Sequence, residues 1–429
     1  MTEKFDAIVV GGGPAGCASA CVMAKSGLNV LLFERGQYAG AKNMWGGAFF
    51  GPQLKELFPN FREEAPVERF VTRHTFSFLT KKGSTTLDFK PAFSGPPSDN
   101  GFIVMRAKFD KWLAKKVEQA GAIVVTSMLV DDLLLDGGRV TGVRIGKEEF
   151  SSDAVILAEG VNGILAQKAG LCSGVSADNM KQGVKEVIAL PKQTIEDRFN
   201  VNGSEGAAME FVGSCTRGVP GGGFLYTNKE SLSVGIVVEL GALVKNRLKA
   251  SDLLEEFKEY PDVARLIRGG KTVEYSAHLI PTGGLKMMPK LFSAGVLVAG
   301  DAAALVLGTG LILEGANFAM ASGVAAAETV ITAKKKNDFS ETALRDYERL
   351  LREGFVLRDM HTFKETPRLL KNTRIYDLYP EVVFEVLENI LENDGKPRTK
   401  AYKIAGKVIK TRVGFARLLS DLWAMRKMT

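Results

Sequence analysis

The sequence of 429 residues predicts an α/β fold, in which a Rossmann-like nucleotide-binding domain carries an inserted β-sheet domain and ends in a helical, basic tail. Three features predict this fold. Residues 6–33 run from an apolar strand through a glycine turn and a helix into a second strand, which is the pattern of a βαβ unit. Residues 180–238 alternate short strand patterns with glycine-rich corners, as antiparallel sheets do. Residues 336–429 are charged and helical instead.

The nucleotide-binding domain is predicted element by element. A strand at 6–10 leads through the glycines of 11–16 into a helix at 17–25, which stops before Gly27, and a second strand follows at 28–33. A further helix is predicted at 109–119, a third parallel strand at 122–126, and a β pair at 128–135 with 140–146. A buried strand follows at 153–157, a strand after the insertion at 295–299, and an alanine-rich helix at 317–333.

The sheet domain interrupts the nucleotide-binding domain rather than following it. Strand patterns also occur between residues 70 and 89, before the nucleotide-binding pattern resumes. The predicted nucleotide-binding segments are 1–69, 101–172 and 286–335, the sheet segments are 70–100 and 173–285, and the C-terminal region is 336–429.

The glycine turn has the spacing of a dinucleotide-binding motif. Gly11 allows the tight turn, Gly13 allows the backbone to approach a pyrophosphate, and Gly16 allows the helix to pack closely on the strand. Pro14 and Ala15 stand between them at the helix start, whose free N–H groups face the phosphates. A plain βα turn lacks this full context, so the sequence predicts a dinucleotide site.

Two further signals identify the dinucleotide. Glu34 ends the second strand, where a carboxylate can accept two ribose hydroxyls, and Arg35 follows it in the same site. An acid there argues against a 2'-phosphate and leaves FAD or NAD. The second motif, Gly300-Asp301, resembles the GD motif of flavoprotein hydroxylase-like enzymes, in which the Asp binds the ribityl chain. The sequence therefore predicts FAD.

Several motifs together resemble one family of flavoproteins. They are Asn43-Met44-Trp45-Gly46-Gly47, residues 106–113, residues 183–187, residues 222–226, and Gly300-Asp301 followed by Glu314-Gly315-Ala316-Asn317. On these motifs the chain resembles FixC and the electron-transfer-flavoprotein:quinone oxidoreductases, with the geranylgeranyl reductases as more distant relatives. The resemblance covers most of the chain and thins beyond about Lys336.

The resemblance implies an FAD-binding domain of the glutathione-reductase or hydroxylase type, and it implies roles for several residues. Arg106 would contact the pyrophosphate, and the backbone of Val130 would contact the adenine side. Gly46 and Gly47 would contact the isoalloxazine. Glu314 and Gly315, in the motif that ends in Asn317, would contact the pyrimidine edge of the flavin at a helix start. Hydroxylases of this fold show Asp-Gly where this chain has Glu159-Gly160, which makes an NAD(P)H-dependent hydroxylase less favoured.

A substrate-binding lip is predicted at Gly222, Gly223 and Phe224, because bare backbone N–H groups there can approach a quinone carbonyl. The same glycines could simply turn a strand, and the two interpretations stay open. Lys185 and Glu186 are interpreted as an internal ion pair, so the proton source for quinone reduction is unassigned.

The four cysteines have no spacing for zinc or an iron-sulfur cluster, so no metal site is predicted, and a reducing compartment is expected. The resemblance to FixC implies that the cluster is supplied by a separate ferredoxin-like subunit, FixX. It implies a flavoprotein heterodimer, FixA and FixB, as the electron donor. It further suggests a four-subunit electron-bifurcating assembly.

Residues 396–429 contain ten basic residues against one acid, Asp421, so this segment carries a net charge of +9. Its basic residues alternate with apolar ones such as Phe415, Leu419 and Trp423. An anionic membrane surface and an acidic partner subunit explain this pattern equally well, whereas no motif supports nucleic acid. We predict neither a transmembrane helix nor a signal peptide, and we expect a cytoplasmic protein peripheral to the inner face of the cell membrane.

The functional hypothesis is an FAD enzyme that accepts electrons from a reduced electron-transfer flavoprotein and passes them to a membrane quinone. The alternative enzyme is a geranylgeranyl-type reductase that saturates prenyl double bonds with the same FAD domain. A third hypothesis is an FAD-stabilised scaffold that anchors its partners without catalysis.

Overall fold

The computed structural model describes residues 4–42, 46–92, 98–99, 101–172, 174–310 and 312–426. The motif residues Asn43, Met44 and Trp45 lie outside the described residues.

The strands belong to two large sheets and one short β pair. In chain order they are β1 (Phe5–Val10), β2 (Val30–Phe33), β3 (Gly46–Phe50), β4 (Val67–Leu79), β5 (Ser84–Phe89), β6 (Gly101–Met105), β7 (Ile123–Val125), β8 (Asp132–Asp136), β9 (Arg139–Ile145), β10 (Glu148–Leu157), β11 (Met180–Ala189), β12 (Glu205–Gly213), β13 (Gly221–Thr227), β14 (Ser231–Glu239), β15 (Lys271–Pro281), β16 (Phe292–Ser293), β17 (Val296–Val298), β18 (Leu307–Gly308) and β19 (Leu313–Glu314).

The helices cover both domains and form most of the C-terminal region. They are α1 (Pro14–Lys25), α2 (Gln53–Leu57), α3 (Phe61–Glu64), α4 (Arg106–Gln119), α5 (Ile164–Lys168), α6 (Lys192–Phe199), α7 (Leu240–Asn246), α8 (Ala250–Glu259), α9 (Pro261–Ile267), α10 (Ala316–Lys336), α11 (Glu341–Leu344), α12 (Asp346–Glu353), α13 (Phe355–Thr362), α14 (Thr366–Leu369), α15 (Leu378–Leu391), α16 (Ala401–Arg412) and α17 (Phe415–Met425). Short 3-10 turns join several of them.

The first sheet has the strand order β16-β17-β10-β1-β2-β7, and β17, β10, β1, β2 and β7 run parallel. Residues 7–10 of its central strand β1 are a continuous buried apolar run because parallel strands are covered on both faces. Helices α4 and α10 pack against α1, which follows this strand. This arrangement confirms the predicted Rossmann-like sheet, with the third parallel strand at β7.

The second sheet has the order β15-β11-β14-β13-β12-β4-β6-β3, with β5 added beside β4. Its neighbours are antiparallel except β12 and β4, which run parallel. One face of the sheet packs on α8, whose Leu253, Leu254 and Phe257 are buried at helical spacing. The other face is turned toward the first sheet, where its Phe224 and Tyr226 share a cavity with the glycine turn after β1.

Two strands of the second sheet lie inside segments that the sequence assigned to the nucleotide-binding domain. Gly46–Phe50 pairs with Gly101–Met105, and the latter also pairs with β4. Neither strand has a sequence pattern that reveals its partner, since pairing joins residues more than thirty positions apart. The segment boundaries at 69/70 and 100/101 therefore do not coincide with the edges of the sheets.

The C-terminal helices α15, α16 and α17 share a small core formed by Val382, Val408 and Val413. Asp421 of α17 accepts two hydrogen bonds from the Arg374 guanidinium, at 2.8 and 2.6 Å, which joins the last helix to the preceding segment. Across the described residues, none of the helices combines the length and apolar content that crossing a bilayer requires.

Candidate functional site

A cavity of about 390 Å³ lies between the carboxyl ends of the parallel strands and one face of the second sheet. The residues that follow β1, β2, β10 and β17 line one side of it, and residues of β13, β14 and β15 line the other. The ends of parallel strands in doubly wound folds are where ligands bind, because the flanking connections diverge there. The cavity is therefore the candidate functional site.

The glycine turn forms one end of the cavity. Gly11 has a φ of +110°, and a Cβ on it would lie 2.3 Å from the carbonyl oxygen of Ala158. A Cβ on Gly16 would lie 1.9 Å from the carbonyl oxygen of Gly11, so α1 packs directly on the turn. Gly13 precedes the first turn of α1, and Gly13, Pro14 and Ala15 line the cavity. The structure thus aims the start of a twelve-residue helix at this space.

Glu34 lies at the end of β2 and is 8% exposed. Its carboxylate accepts hydrogen bonds from the backbone N–H of Gly12 at 2.8 Å and of Gly36 at 2.6 Å. These two bonds orient the carboxylate and still leave lone pairs for ligand hydroxyls. Arg35 and the buried Val130 line the cavity beside it.

Arg106 begins α4 and lines the cavity. Its guanidinium donates two hydrogen bonds to the buried carboxylate of Asp110, at 2.6 and 2.7 Å. Burial acts to lower the pKa of Arg106, but Asp110 and then Asp301 raise it above its ordinary value. Burial raises the pKa of Asp301, and the charge of Arg106 opposes this rise. The paired guanidinium is therefore a fixed positive charge within the site.

The start of α10 is a second helix N-terminus at the same cavity. Gly315 and Ala316 line it, together with Gly300 and Asp301 after β17. Glu314 and Asn317, which the sequence placed in the site, are not among the lining residues. The Asn317 side-chain amide donates to the Glu314 carboxylate at 2.6 Å, so the two residues brace the turn into α10.

Gly46 and Gly47 begin β3, where their backbones pair with Met105 and Val104. Gly47 lines the cavity on the side of Arg106. The strand therefore brings this part of the motif to the site, whereas the preceding Asn43-Met44-Trp45 lies outside the described residues.

The residues present fit a bound dinucleotide. The cavity extends from the glycine turn to the second sheet, and it is bounded by two helix N-termini and the cation of Arg106. Helix N-termini and a guanidinium suit phosphate groups, and the carboxylate of Glu34 suits ribose hydroxyls.

The structure separates the three residues of the predicted substrate lip. Phe224 lines the cavity. Gly223 faces the opposite side of the sheet, where an added Cβ would lie 2.5 Å from the ring of Phe257 in α8. Gly222 is paired within β13, and its missing Cβ makes room for the carbonyl oxygen of Phe211 at 2.5 Å. Neither glycine is among the lining residues, because β13 continues through them as a regular strand instead of forming a loop.

The predicted ion pair between Lys185 and Glu186 is wrong. Neighbouring residues of a strand point to opposite faces, so these two side chains cannot meet. Lys185 pairs with Glu274 at 3.2 Å, and Glu186 pairs with Lys258 of α8 at 2.9 Å.

The lining residues that were not predicted include three with titratable side chains. Tyr226 and His278 project from β13 and β15, and Glu159 follows β10. Burial, followed by the charges of Arg106 and Arg35, lowers the pKa of His278 to about 4. The alternation of β13 could have suggested Tyr226, which stands two residues after Phe224, but nothing local marks His278.

Comparisons with known proteins place the site in context. The family "FAD dependent oxidoreductase" matches residues 6–216, and the "ETF-QO/FixC family C-terminal domain" matches residues 366–429. The protein described as probable electron transfer flavoprotein-quinone oxidoreductase YdiS of Escherichia coli K12 is 44% identical over 98% of this chain and 97% of its own length. Protein FixC of the same strain is 44% identical over 98% of both chains.

A solved structure with a similar fold is that of a geranylgeranyl bacteriochlorophyll reductase-like protein from Thermoplasma acidophilum. It aligns with a TM-score of 0.74 at 21% identity and covers 99% of each chain. At this identity the likeness concerns the fold alone.

Proposed function

This chain belongs to the FixC and electron-transfer-flavoprotein:quinone oxidoreductase family of FAD-dependent oxidoreductases, and on that premise we propose that it passes electrons from a reduced electron-transfer flavoprotein to a membrane quinone. Its cofactor is FAD. The observation that carries the proposal is the cavity itself, which joins the nucleotide cradle after β1 to an aromatic wall on the second sheet. One continuous space of this kind holds a flavin and an acceptor in contact.

We assign the FAD phosphates to the start of α1, through Gly11, Gly13, Pro14, Ala15 and Gly16. The support is the turn geometry, in which side chains on Gly11 or Gly16 would clash with neighbouring backbone, and which leads into the N-terminus of α1 at the cavity. Glu34 would accept the adenosine ribose hydroxyls, with Arg35 and Val130 beside the adenine.

The other proposed contacts surround the middle of the cofactor. Arg106 would neutralise the pyrophosphate, and Gly300 and Asp301 would hold the ribityl chain. Gly47 and Gly315 would border the isoalloxazine, with Gly46 next to Gly47 at the start of β3. Glu314 and Asn317 would act indirectly, since their mutual hydrogen bond holds the turn that positions Gly315.

Bound FAD supplies the two-electron chemistry, while the protein provides position and electrostatics. The N-terminus of α10 places partial positive charge beside the site, which favours an anionic form of the ligand there. Arg106 adds a full positive charge that Asp110 holds in place. Phe224 and Tyr226 offer a flat apolar surface for a quinone ring.

The proposed partners follow from the family. The electron donor would be a heterodimer like FixA and FixB, and a ferredoxin-like subunit like FixX would carry an iron-sulfur cluster. The four proteins would form a bifurcating complex in which quinone reduction is the downhill branch. The near full-length similarity to proteins named FixC supports this assignment.

We further propose that the protein is cytoplasmic and associates peripherally with the inner face of the cell membrane. Phe415, Leu419, Leu422 and Trp423 form an exposed apolar stripe at helical spacing on α17. The surrounding segment carries a net charge of +9. An apolar stripe with flanking cations suits an anionic lipid surface.

The proposed reaction is tested by anaerobic stopped flow. The flavin of the purified holoprotein is reduced, a short-chain quinone is added, and the flavin absorbance is followed. We expect rapid reoxidation at about one quinone per FAD, because both carry two electrons. A spectrum that stays reduced contradicts the proposal. In that case, loss of double bonds from a prenylated lipid would identify a geranylgeranyl-type reductase, and no reaction with either would favour a scaffold.

A further inference from the structure

The face of the second sheet that lines the cavity also carries, next to the lining residues, a carboxyl group that the proposed function does not use. Glu210 lies on β12, directly opposite Phe224 of β13 and Phe76 of β4. Tyr226 is two residues beyond Phe224 and is therefore the diagonal neighbour of Glu210 on the same face. Phe224 and Tyr226 both line the cavity, so Glu210 belongs to the face that meets the acceptor.

Glu210 is held in an apolar setting. Its Oε2 atom is buried and has no hydrogen-bond partner, and no ion pair joins its carboxyl group to another of the described residues. The rings of Phe224 and Tyr226 stack beside it with 5.0 Å between their centroids. A buried carboxylate without a partner is costly, whereas a neutral carboxylic acid is tolerated. Burial accordingly raises the pKa of Glu210 from its ordinary value of 4.5 to about 8.

The titratable groups on the neighbouring elements do not compensate a negative charge on Glu210. His74 of β4 is on the same face, and burial lowers its pKa, so it is neutral at neutral pH. Burial, with the nearby Glu210, raises the pKa of Tyr226 well above its ordinary value. Arg73 of β4 faces the other side, where it pairs with Asp88. Cys215, in the turn after β12, packs into the core beneath α8.

We propose that Glu210 is the proton reservoir for quinone reduction, and that it delivers its proton to the acceptor through the hydroxyl group of Tyr226. This inference rests on the proposed function. Reduced FAD in its anionic form would supply two electrons and one proton to the quinone, so the protein would supply the second proton. The Tyr226 O–H bond breaks as an O–H bond forms at the quinone oxygen, and the phenolate takes the proton of Glu210. Water then reprotonates the carboxylate.

His278 is the other titratable group of the sheet that lines the cavity, and it suits this role less well. It lies within the field of Arg106 and Arg35, which disfavour its protonated form. A histidine that is neutral at neutral pH has no ready proton to give, whereas Glu210 is a neutral acid that does.

The test compares Glu210→Gln and Tyr226→Phe with the wild-type holoenzyme in the stopped-flow reaction, in water and in deuterium oxide. We expect reoxidation by quinone to slow about 100-fold in both variants, the lower end of general-acid effects. The wild-type rate should fall as the pH rises through about 8 and show a solvent isotope effect, and both features should disappear in Glu210→Gln. Glu210→Asp, which keeps the acid, should recover part of the rate.

Glu205→Gln is the matched control, because Glu205 is on the same strand and its carboxylate accepts from the Asn202 backbone outside the cavity. It should behave as the wild type. Each variant is first compared with the wild type in FAD content and thermal unfolding.

The pH dependence of the free energy of unfolding is a second readout, which reports the protonation of Glu210 without requiring catalysis. The folded-state pKa of Glu210 lies above its ordinary value, so its contribution to stability is present below about pH 4.5 and is lost as the pH rises to about 8. Glu210→Gln should remove this part of the pH dependence of the free energy of unfolding.

The outcomes separate the two proposals. A wild-type protein that reduces no quinone overturns both. A wild-type protein that reduces quinone, with a Glu210→Gln variant of equal rate and unchanged isotope effect, overturns the reservoir alone. If Glu210→Gln leaves the pH dependence of the free energy of unfolding unchanged, Glu210 is not a neutral acid in the folded protein, and the reservoir is overturned.

Discussion

Gly11 illustrates how a single residue determines whether the cofactor cradle exists. Its φ of +110° lies in the region that only glycine adopts readily, and its missing Cβ leaves room for the Ala158 carbonyl. Backbone conformation and close approach thus act at the same position. Glu34 depends on the same turn, because Gly12 donates to its carboxylate.

A substitution of Gly11 tests this dependence. Gly11→Ala should lower FAD affinity at least about tenfold, the effect of ~1.4 kcal/mol, because the new methyl group displaces the turn from β10. The measurement is the FAD absorbance retained per protein after dialysis, together with thermal unfolding.

The control is Gly27→Ala. Gly27 has a φ of +83° but no atom within 4 Å of an added Cβ, so it carries the backbone strain without the clash. It should cost about 1 kcal/mol of stability and leave FAD binding intact. Equal loss of FAD in both variants would mean that the contact with Ala158 is unimportant.

Among the elements, the packing of α10 on α1 sets the shape of the site. Both helices begin at the cavity, and they approach so closely that a Cβ on Gly323 would lie 2.2 Å from the carbonyl oxygen of Ala15. Gly300, before α10, is also close to this residue, since a Cβ on Gly300 would lie 3.0 Å from the Cβ of Ala15. These close contacts with Ala15 therefore position the two helix N-termini relative to each other.

Gly323→Ala should destabilise the protein by about 1–3 kcal/mol through overpacking and should weaken FAD binding, because α1 must move. Gly406→Ala is the matched control within another helix, where an added Cβ meets nothing within 4 Å. It should stabilise α16 by about 0.5–1 kcal/mol. Chemical denaturation and FAD titration measure both effects, and a neutral Gly323→Ala would contradict the tight contact.

In the whole molecule, the candidate site and the proposed membrane contact lie in different parts of the chain. The cavity lies between the sheets, whereas the exposed apolar stripe lies on α17, whose Leu418 packs on the C-terminal core formed with α15 and α16. Asp421 is turned inward to Arg374, which leaves the outer side of α17 to Leu419 and Trp423, 66% and 61% exposed.

The double variant Leu419→Ser, Trp423→Ser should bind anionic vesicles at least about 100-fold more weakly than the wild type, since each side chain, when buried in the lipid, contributes roughly 1.5–3 kcal/mol. Vesicle co-sedimentation measures this, and added salt should weaken wild-type binding because the tail is cationic. Leu135→Ser is the control, because Leu135 is 63% exposed on β8. Absence of wild-type binding to vesicles would favour an acidic partner subunit as the target of the tail.

The sequence by itself determined the features that depend on neighbouring residues. The βαβ unit, the glycine turn and Glu34 lie within residues 5–34, and their spacing alone indicates their geometry. The α/β fold, the family and the FAD cofactor are confirmed for this reason. The roles of the individual FAD-binding residues stay predictions, although most of these residues meet at one cavity.

Only the tertiary structure decided which side chains share a space. Strand pairing placed Gly223 against the ring of Phe257. It also gave Lys185 and Glu186 separate ion-pair partners, Glu274 and Lys258. It also placed Glu210 next to Phe224 and Tyr226, which line the cavity. These outcomes depend on register between distant strands, where a shift of one residue exchanges the two faces, and no local pattern in the sequence encodes that register.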